Sequence, residues 1–381
     1  MRLHEYEAAD IFEQAGVRTA NRRLVATPAE AIQAAEEIGF PVMVKAQVLV
    51  GGRGKAGGIA AAETADELKR LIDQLLGSEI KGLPVNKLLI SEKVSIAQEI
   101  YLGITIDSYQ GQPVIVASSK GGIDIEKAAA ASPESIAKLH INPGELLYPY
   151  QARQVLQQIG LKDRQLLGCA DILVRLYQAF TENDAIIAEI NPLVIGPDGK
   201  LTAVDAVLEI DDSALNRLKN KPDPLADRIN NPLEILGKKM GVTYVDLEGD
   251  IGLIASGAGL GMASMDIIGQ RLTPANFLET GGGITEELMY QCMELLMMKV
   301  GIRALLINIY GGINPIHEGA KGIVRYVQEH NITLPIVAKA LGNRQEETWE
   351  IFREGGIYVV TDTATEKAVD KLCELLNDKH Q

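Results

Sequence analysis

The sequence predicts an α/β protein in two parts, an α+β half on a mixed sheet followed by a doubly wound parallel sheet. Three observations carry this. Strand-length apolar runs alternate with helical patterns along nearly the whole chain; beyond residue 240 the alternation becomes regularly strand, helix, strand; and 381 residues exceed what one hydrophobic core usually spans.

Residues 3–16 carry Leu3, Tyr6, Ala9, Ile11 and Phe12 at roughly helical spacing and close on Gly16, which predicts a helix. From Arg22 the pattern is strand, then helix from Pro28 to Ile38 stopped at Gly39, then the apolar strand Pro41–Lys45. Gly51 to Gly58 lies between two strand-like runs and predicts a hairpin tip. A helix over 65–76 and strands over 87–91, 99–106 and 114–118 follow. Residues 119–149 are rich in Gly, Pro and charge, two helical patterns fill 151–180, and strands 185–189 and 201–205 flank the turn Pro197-Asp198-Gly199. Apolar density falls over 211–246, where Lys221-Pro222-Asp223-Pro224 and Asn231-Pro232 occur. The expected domains are therefore 1–240 and 241–381. In the second, strands are expected at 251–255, 275–278, 304–309, 336–339 and 357–361, each followed by a helix.

Composition narrows the function. Hydrophobic residues are 46% and charged residues 23%, ordinary globular usage, which excludes disorder, collagen and coiled coil. A net charge of −14 disfavours nucleic acid and anionic membranes as partners. Cys169, Cys292 and Cys373 stand far apart without a CxxC or a nearby His, so neither a disulfide framework nor a zinc site is signalled. The opening MRLHEYEAADIF lacks a basic, apolar leader, and no run approaches the ~18 apolar residues of a membrane span, so a cytoplasmic protein is expected.

Loops that approach phosphates need glycines, because a Cβ would block close contact, and they gain from cations. Gly51-Gly52-Arg53-Gly54-Lys55-Ala56-Gly57-Gly58 meets both needs, and Lys45 on the preceding strand adds a cation; a plain glycine-rich turn would read the same way. The loop is not a P-loop, since no glycine stands five residues before Gly54-Lys55 and Ala56 replaces the Ser/Thr. Magnesium nucleotides need hard oxygens. Glu189 and Asn191, two apart on a strand, share a face, and Asp205 is expected to end the partner strand; loop contacts alone would also account for them. Together these features suggest a Mg2+–nucleotide site.

In the second half, Ser256-Gly257-Ala258-Gly259 follows a strand and opens a helix, but Met262 occupies the third glycine position of a dinucleotide fingerprint. What survives is an anion site at a helix N-terminus. The loops 279–283 and 308–314 stand at the same carboxyl edge. None of the five histidines has a nucleophile's context, His317 being the one to test, so phosphate chemistry here points to a partner chain.

These residues resemble the β subunits of succinate–CoA ligases. The resemblance runs through LHEYEA (3–8), VKAQVLVGGRGKAGG (44–58), EIYLG (99–103), SSKGGIDIEK (118–127), PYQAR (149–153), EINPLVI (189–195), SGAGLGMASMDI (256–267), ANFLETGGG (275–283) and NIYGGI (308–313), in order along nearly the whole chain. It implies an ATP-grasp domain followed by a flavodoxin-like CoA-ligase domain. The implied reaction turns ATP, a carboxylate and CoA into ADP, phosphate and acyl-CoA, through a phosphohistidine on an α subunit that also binds most of the CoA. By position, the resemblance implies that Lys45, Gly52, Arg53 and Gly54 hold ATP (or GTP) phosphates and that Glu92, Ser95 and Glu99 lie around the nucleoside. It likewise makes Asn191 and Asp205 ligands of Mg2+, has Glu189 receive the partner's histidine, and assigns the carboxylate to Ser256, Gly312, Ile313 and Asn314. The chain departs from the family pattern at Ser256, where an Asn is usual, in the loop INPIHEGAKGI, in KALGNR and after Asp205. The first three fall in the carboxylate half, which keeps malate or citrate open beside succinate. A catalytically silent nucleotide-binding scaffold is the reading from another class.

Overall fold

Antiparallel pairing begins where the glycine hairpin was expected. In the computed structural model, which describes residues 1–122, 125, 135–218, 228, 229 and 231–378, strand β2 (Val42–Ala46) turns through that loop into β3 (Ile59–Ala62), with Val42 opposite Ala62 and Lys45 opposite Ile59. β1 (Arg22–Val25) and β6 (Leu88–Glu92) complete a four-stranded sheet in the order β1-β6-β2-β3, and β4 (Glu79–Ile80) and β5 (Leu83–Pro84) form a small hairpin beside it. Helices α2 (Pro28–Ile38) and α3 (Ala65–Leu75) start at Thr27 and Thr64, whose side chains accept the N–H of Glu30 and Glu67. Their Ala31, Ala35, Leu68 and Ile72 join Val42, Val44 and Ile90 in one core.

A second sheet runs β11-β10-β7-β8-β9, from β7 (Gln98–Asp107), β8 (Gln112–Ser118), β9 (Ile136–His140), β10 (Ala185–Ile195) and β11 (Leu201–Ala203), with β12 (Val207–Ile210) also on β10. Helices α1 (Glu5–Gln14), α4 (Pro149–Gln158) and α5 (Asp163–Glu182) supply Phe12, Leu156 and Leu173 to its core. The edge beside β10 is split: β11 pairs with residues 193–195 and β12 with 185–189, so Asp205 sits in the gap between two strands instead of ending one. β9 was not expected, because Lys138 and His140 interrupt its short apolar pattern.

Two compact units emerge, Met1–Pro222 and Asp223–Gln381. The division lies ahead of the expected 240, since α6 (Pro232–Met240) packs on β13 (Thr243–Asp246) in the second unit. The Lys221–Pro224 stretch and the IDIEK end of the 118–127 motif fall largely outside the described residues. The second unit has one sheet in the order β13-β15-β14-β16-β17-β18, with β14 (Ile251–Ala255), β15 (Asn276–Glu279), β16 (Ala304–Gly311), β17 (Ile336–Gly342) and β18 (Tyr358–Val359). It is parallel except at its edge, where β13 runs antiparallel to β15. Helices α7 (Ala258–Gly269), α8 (Glu286–Met297), α9 (Ile316–Glu329), α10 (Gln345–Glu354) and α11 (Thr365–Asp378) follow the strands, and the apolar residues of β14 and β16 are buried in two cores. Among the described residues no helix is long and apolar enough to cross a membrane.

Candidate active site

The first unit contains a cavity of about 890 Å3 lined by the glycine hairpin, β2, β6, the start of α1 and the β10–β12 edge. Its floor is a cluster of four charged side chains. Residue 3 is pinned by its N–H to Leu208 O (2.9 Å), which brings Glu5, in the first turn of α1, into the interior. Glu5 Oε1 meets Lys45 Nζ at 2.7 Å and Oε2 meets Arg53 Nη2 at 2.8 Å. The same Arg53 nitrogen donates to Asp205 Oδ1 at 2.9 Å, while Nη1 reaches Ala46 O at 3.1 Å. Lys45 also donates to Val204 O. Glu5, Lys45 and Arg53 are only 6%, 6% and 8% exposed. A carboxylate and two cations out of water are tolerated because each is paired; removing one partner from such a set costs about 3–5 kcal/mol.

Electrostatics follow from that pairing. Burial alone would raise the Glu5 pKa, but Lys45 and Arg53 outweigh it and hold the carboxyl below its usual range. Asp205 goes the other way, raised by burial and by Glu5, with Arg53 and Lys45 only partly offsetting them. Glu189 is raised by burial and by Asp205 against hydrogen bonds from Asn191 and Tyr101. Two carboxyls held up by desolvation and by like charge beside a neutral oxygen form a setting that a cation relieves. Asn191 Oδ1 accepts from Gly122 N at 2.8 Å, and Asp205 Oδ1 accepts both from Arg53 Nη2 and from the Ala206 N–H, each at 2.9 Å. Among the described residues no group of three His, Cys, Asp or Glu side chains could hold a metal on its own. One carboxylate and one amide suit magnesium, which keeps several waters and shares phosphate oxygens.

Lys45, Gly52, Arg53, Gly54, Glu92, Glu99, Glu189, Asn191 and Asp205 all line this cavity. Ser95 does not: it is exposed on the segment after β6 and is absent from the lining among the described residues. Glu92 is partly committed, its Oε1 accepting from Asn21 N at 3.1 Å. Gly52 adopts φ +72°, a conformation that favours glycine. Sequence reasoning missed Glu5, whose carboxylate pairs with both Lys45 and Arg53 in the lining of this cavity.

The second unit brings the other expected residues to one place. Strand order reverses at β14, with β15 on one side and β16 on the other, and the crevice beyond the carboxyl ends of β14 and β16 is where such sheets bind ligands. Ser256 follows β14, and Gly312, Ile313 and Asn314 follow β16. Ser256 Oγ donates to Tyr310 O (3.1 Å) and accepts from Tyr310 N (2.8 Å), so its hydroxyl ties the two loops together. Gly257, at φ +102°, opens α7. Ile313 is 93% exposed. His317 is buried, its Nε2 2.8 Å from Arg344 Nη1 and 3.1 Å from Glu318 Oε1.

Comparison with known proteins decides the family. Residues 2–195 match the ATP-grasp domain model and residues 254–373 the CoA-ligase model. The chain is 41% identical over 379 residues to the ADP-forming succinate–CoA ligase subunit beta of Roseiflexus sp. (strain RS-1), covering 97% of this chain and 98% of that one. The chain belongs to the family of succinate–CoA ligase β subunits. A GDP-forming relative from Thermus thermophilus is 40% identical over 360 residues, covering 94% and 95% of the two chains. In fold, the chain is similar to the ATP citrate lyase of Methanothrix soehngenii, with a TM-score of 0.77 at 18% identity over 98% of this chain and 99% of that one.

Proposed function

We propose that the chain is the nucleotide-binding subunit of a cytoplasmic acid–thiol ligase that converts ATP, succinate and CoA to ADP, phosphate and succinyl-CoA. The observation that carries this reading is the pair of buried cations, Lys45 and Arg53, lining one cavity with the oxygens of Glu189, Asn191 and Asp205. Phosphoryl transfer asks mainly for positioning and charge neutralisation. Lys45 and Arg53 supply the charge, and Gly52 and Gly54 let the backbone approach the phosphates. Glu92 and Glu99 border the nucleoside; Ser95 reaches it only if its exposed segment folds inward. Asn191 and Asp205 would hold Mg2+, which supplies charge neutralisation and orientation at the phosphates.

Glu189 meets the histidine of an α subunit, which takes the phosphoryl group and passes it to the carboxylate; the CoA thiol then displaces phosphate. That partner also holds most of the CoA. In the second unit, the backbone of Gly312 and Ile313 and the Asn314 amide bind the carboxylate, and Ser256 fixes their loop. The test is to purify the native complex through this chain, label it with γ-phosphate-labelled ATP or GTP and magnesium, and add CoA with succinate, malate or citrate. The expected result is an acid-labile label on a co-purifying chain, discharged by succinate. Discharge by malate or citrate alone would transfer the same chemistry to that acid, and no label would leave a nucleotide-binding scaffold.

A further inference from the structure

Lys45 and Arg53 need a permanent anion, and the cavity supplies one. Asp205 shares Arg53 with Glu5, but in the proposed reading Asp205 is drawn off by a metal ion, whereas Glu5 bridges both cations, Oε1 to Lys45 at 2.7 Å and Oε2 to Arg53 at 2.8 Å. Gln47 Nε2 approaches the same Oε2 at 3.5 Å, and the carboxylate is 6% exposed while still lining the cavity. A buried ion pair adds little to stability that apolar packing could not. A closed structural bridge would also have no reason to open onto the space beside a glycine loop.

We propose that Glu5 is a positioning residue of the nucleotide site: its carboxylate holds Lys45 and Arg53 as a fixed pair and cedes part of their charge to the phosphates when nucleotide enters. The inference rests on the nucleotide reading above. It has two consequences of opposite sign. Without the charge on Glu5, Lys45 loses its carboxylate and Arg53 is left with Asp205, so the pair carries excess positive charge and an incoming polyanion is bound more tightly. They are also held less firmly, so transfer slows.

The experiment uses the full chain and its complex, with E5Q compared to wild type. Melting is followed with and without sodium tripolyphosphate, and the labelling rate is followed against nucleotide concentration. E5Q is expected to melt lower when free, to gain more than wild type from tripolyphosphate, and to label about tenfold or more slowly at saturation with a half-saturating nucleotide concentration no higher than that of wild type. An equal fall in melting temperature with and without tripolyphosphate, with the saturating rate kept, would reduce Glu5 to a structural residue. If E5Q does not fold, the double variant E5Q/K45M decides: balanced charge should restore melting toward wild type, and failure to restore it overturns the proposal. E5D, which keeps the charge, should regain most of the rate. A wild-type chain that binds neither MgADP nor MgGDP would overturn the nucleotide reading itself, whereas a wild-type chain that binds and an E5Q that behaves identically overturns only the role of Glu5.

Discussion

The two units build their candidate sites from opposite materials. In the first, the cavity floor is formal charge largely out of water: buried Glu5, Lys45 and Arg53 with half-buried Asp205, joined by ion pairs of 2.7 to 2.9 Å. In the second, Ser256, Gly312, Ile313 and Asn314 after β14 and β16 offer backbone and neutral side chains, and the hydroxyl of Ser256 is spent on Tyr310; the charges nearby include single cations, Lys339 against Asn308 and Arg344 against His317. Buried charge makes a site strong for phosphate and intolerant of change. A backbone crevice is adjustable, because one exposed side chain can be exchanged without leaving a buried ion unpaired. Of the four departures that the resemblance marks, those at Ser256, in INPIHEGAKGI and in KALGNR fall in the second unit and the one after Asp205 falls in the first.

The contrast can be broken by substitution. Asp205→Asn removes a charge from the buried cluster and should cut the rate of partner labelling by about a hundredfold or more, with assembly intact on size-exclusion chromatography. A rate near wild type would take Asp205 out of the site. Asn314→Ala, on the exposed loop, should raise the carboxylate concentration needed to discharge the label by about tenfold and leave nucleotide dependence unchanged. Equal damage to both dependences would assign the loop to folding. The smallest effect is expected from Ser256→Ala, which loses two partly exposed hydrogen bonds and should lower stability by about 1 kcal/mol in a denaturant titration. A change of several kcal/mol would mean that Ser256 holds more than a loop.

Legibility in the sequence follows the same division. Strands β14, β16 and β17 read directly, as mainly apolar runs with Asn308 the one amide in β16 and Lys339 the one charge in β17, and so did the hairpin around Arg53. Lys45 and Arg53 were legible because basic residues stood in or beside a glycine-rich loop. Glu5 was not, since an acid in the first turn of an amphipathic helix is ordinary dipole complementarity; the signal available was that two buried cations require an anion. Asp205 was found, but its position in a gap between β11 and β12 depends on how both strands share the β10 edge, which no local pattern encodes. Edge strand β13 escaped for a similar reason: four residues after a glycine, with Asp246 closing them, carry too little alternation to read. Ser95 shows the converse, a polar residue placed by resemblance that lies exposed beyond the cavity lining.

The claim that phosphate is handled by buried charge in the first unit, separately from the carboxylate crevice, is tested most directly by calorimetric titration of MgADP into the intact chain, Arg53→Met and Asn314→Ala. Binding should be lost or weakened at least about a hundredfold in Arg53→Met and be unchanged in Asn314→Ala. Wild-type affinity in Arg53→Met, or loss in Asn314→Ala, would contradict it.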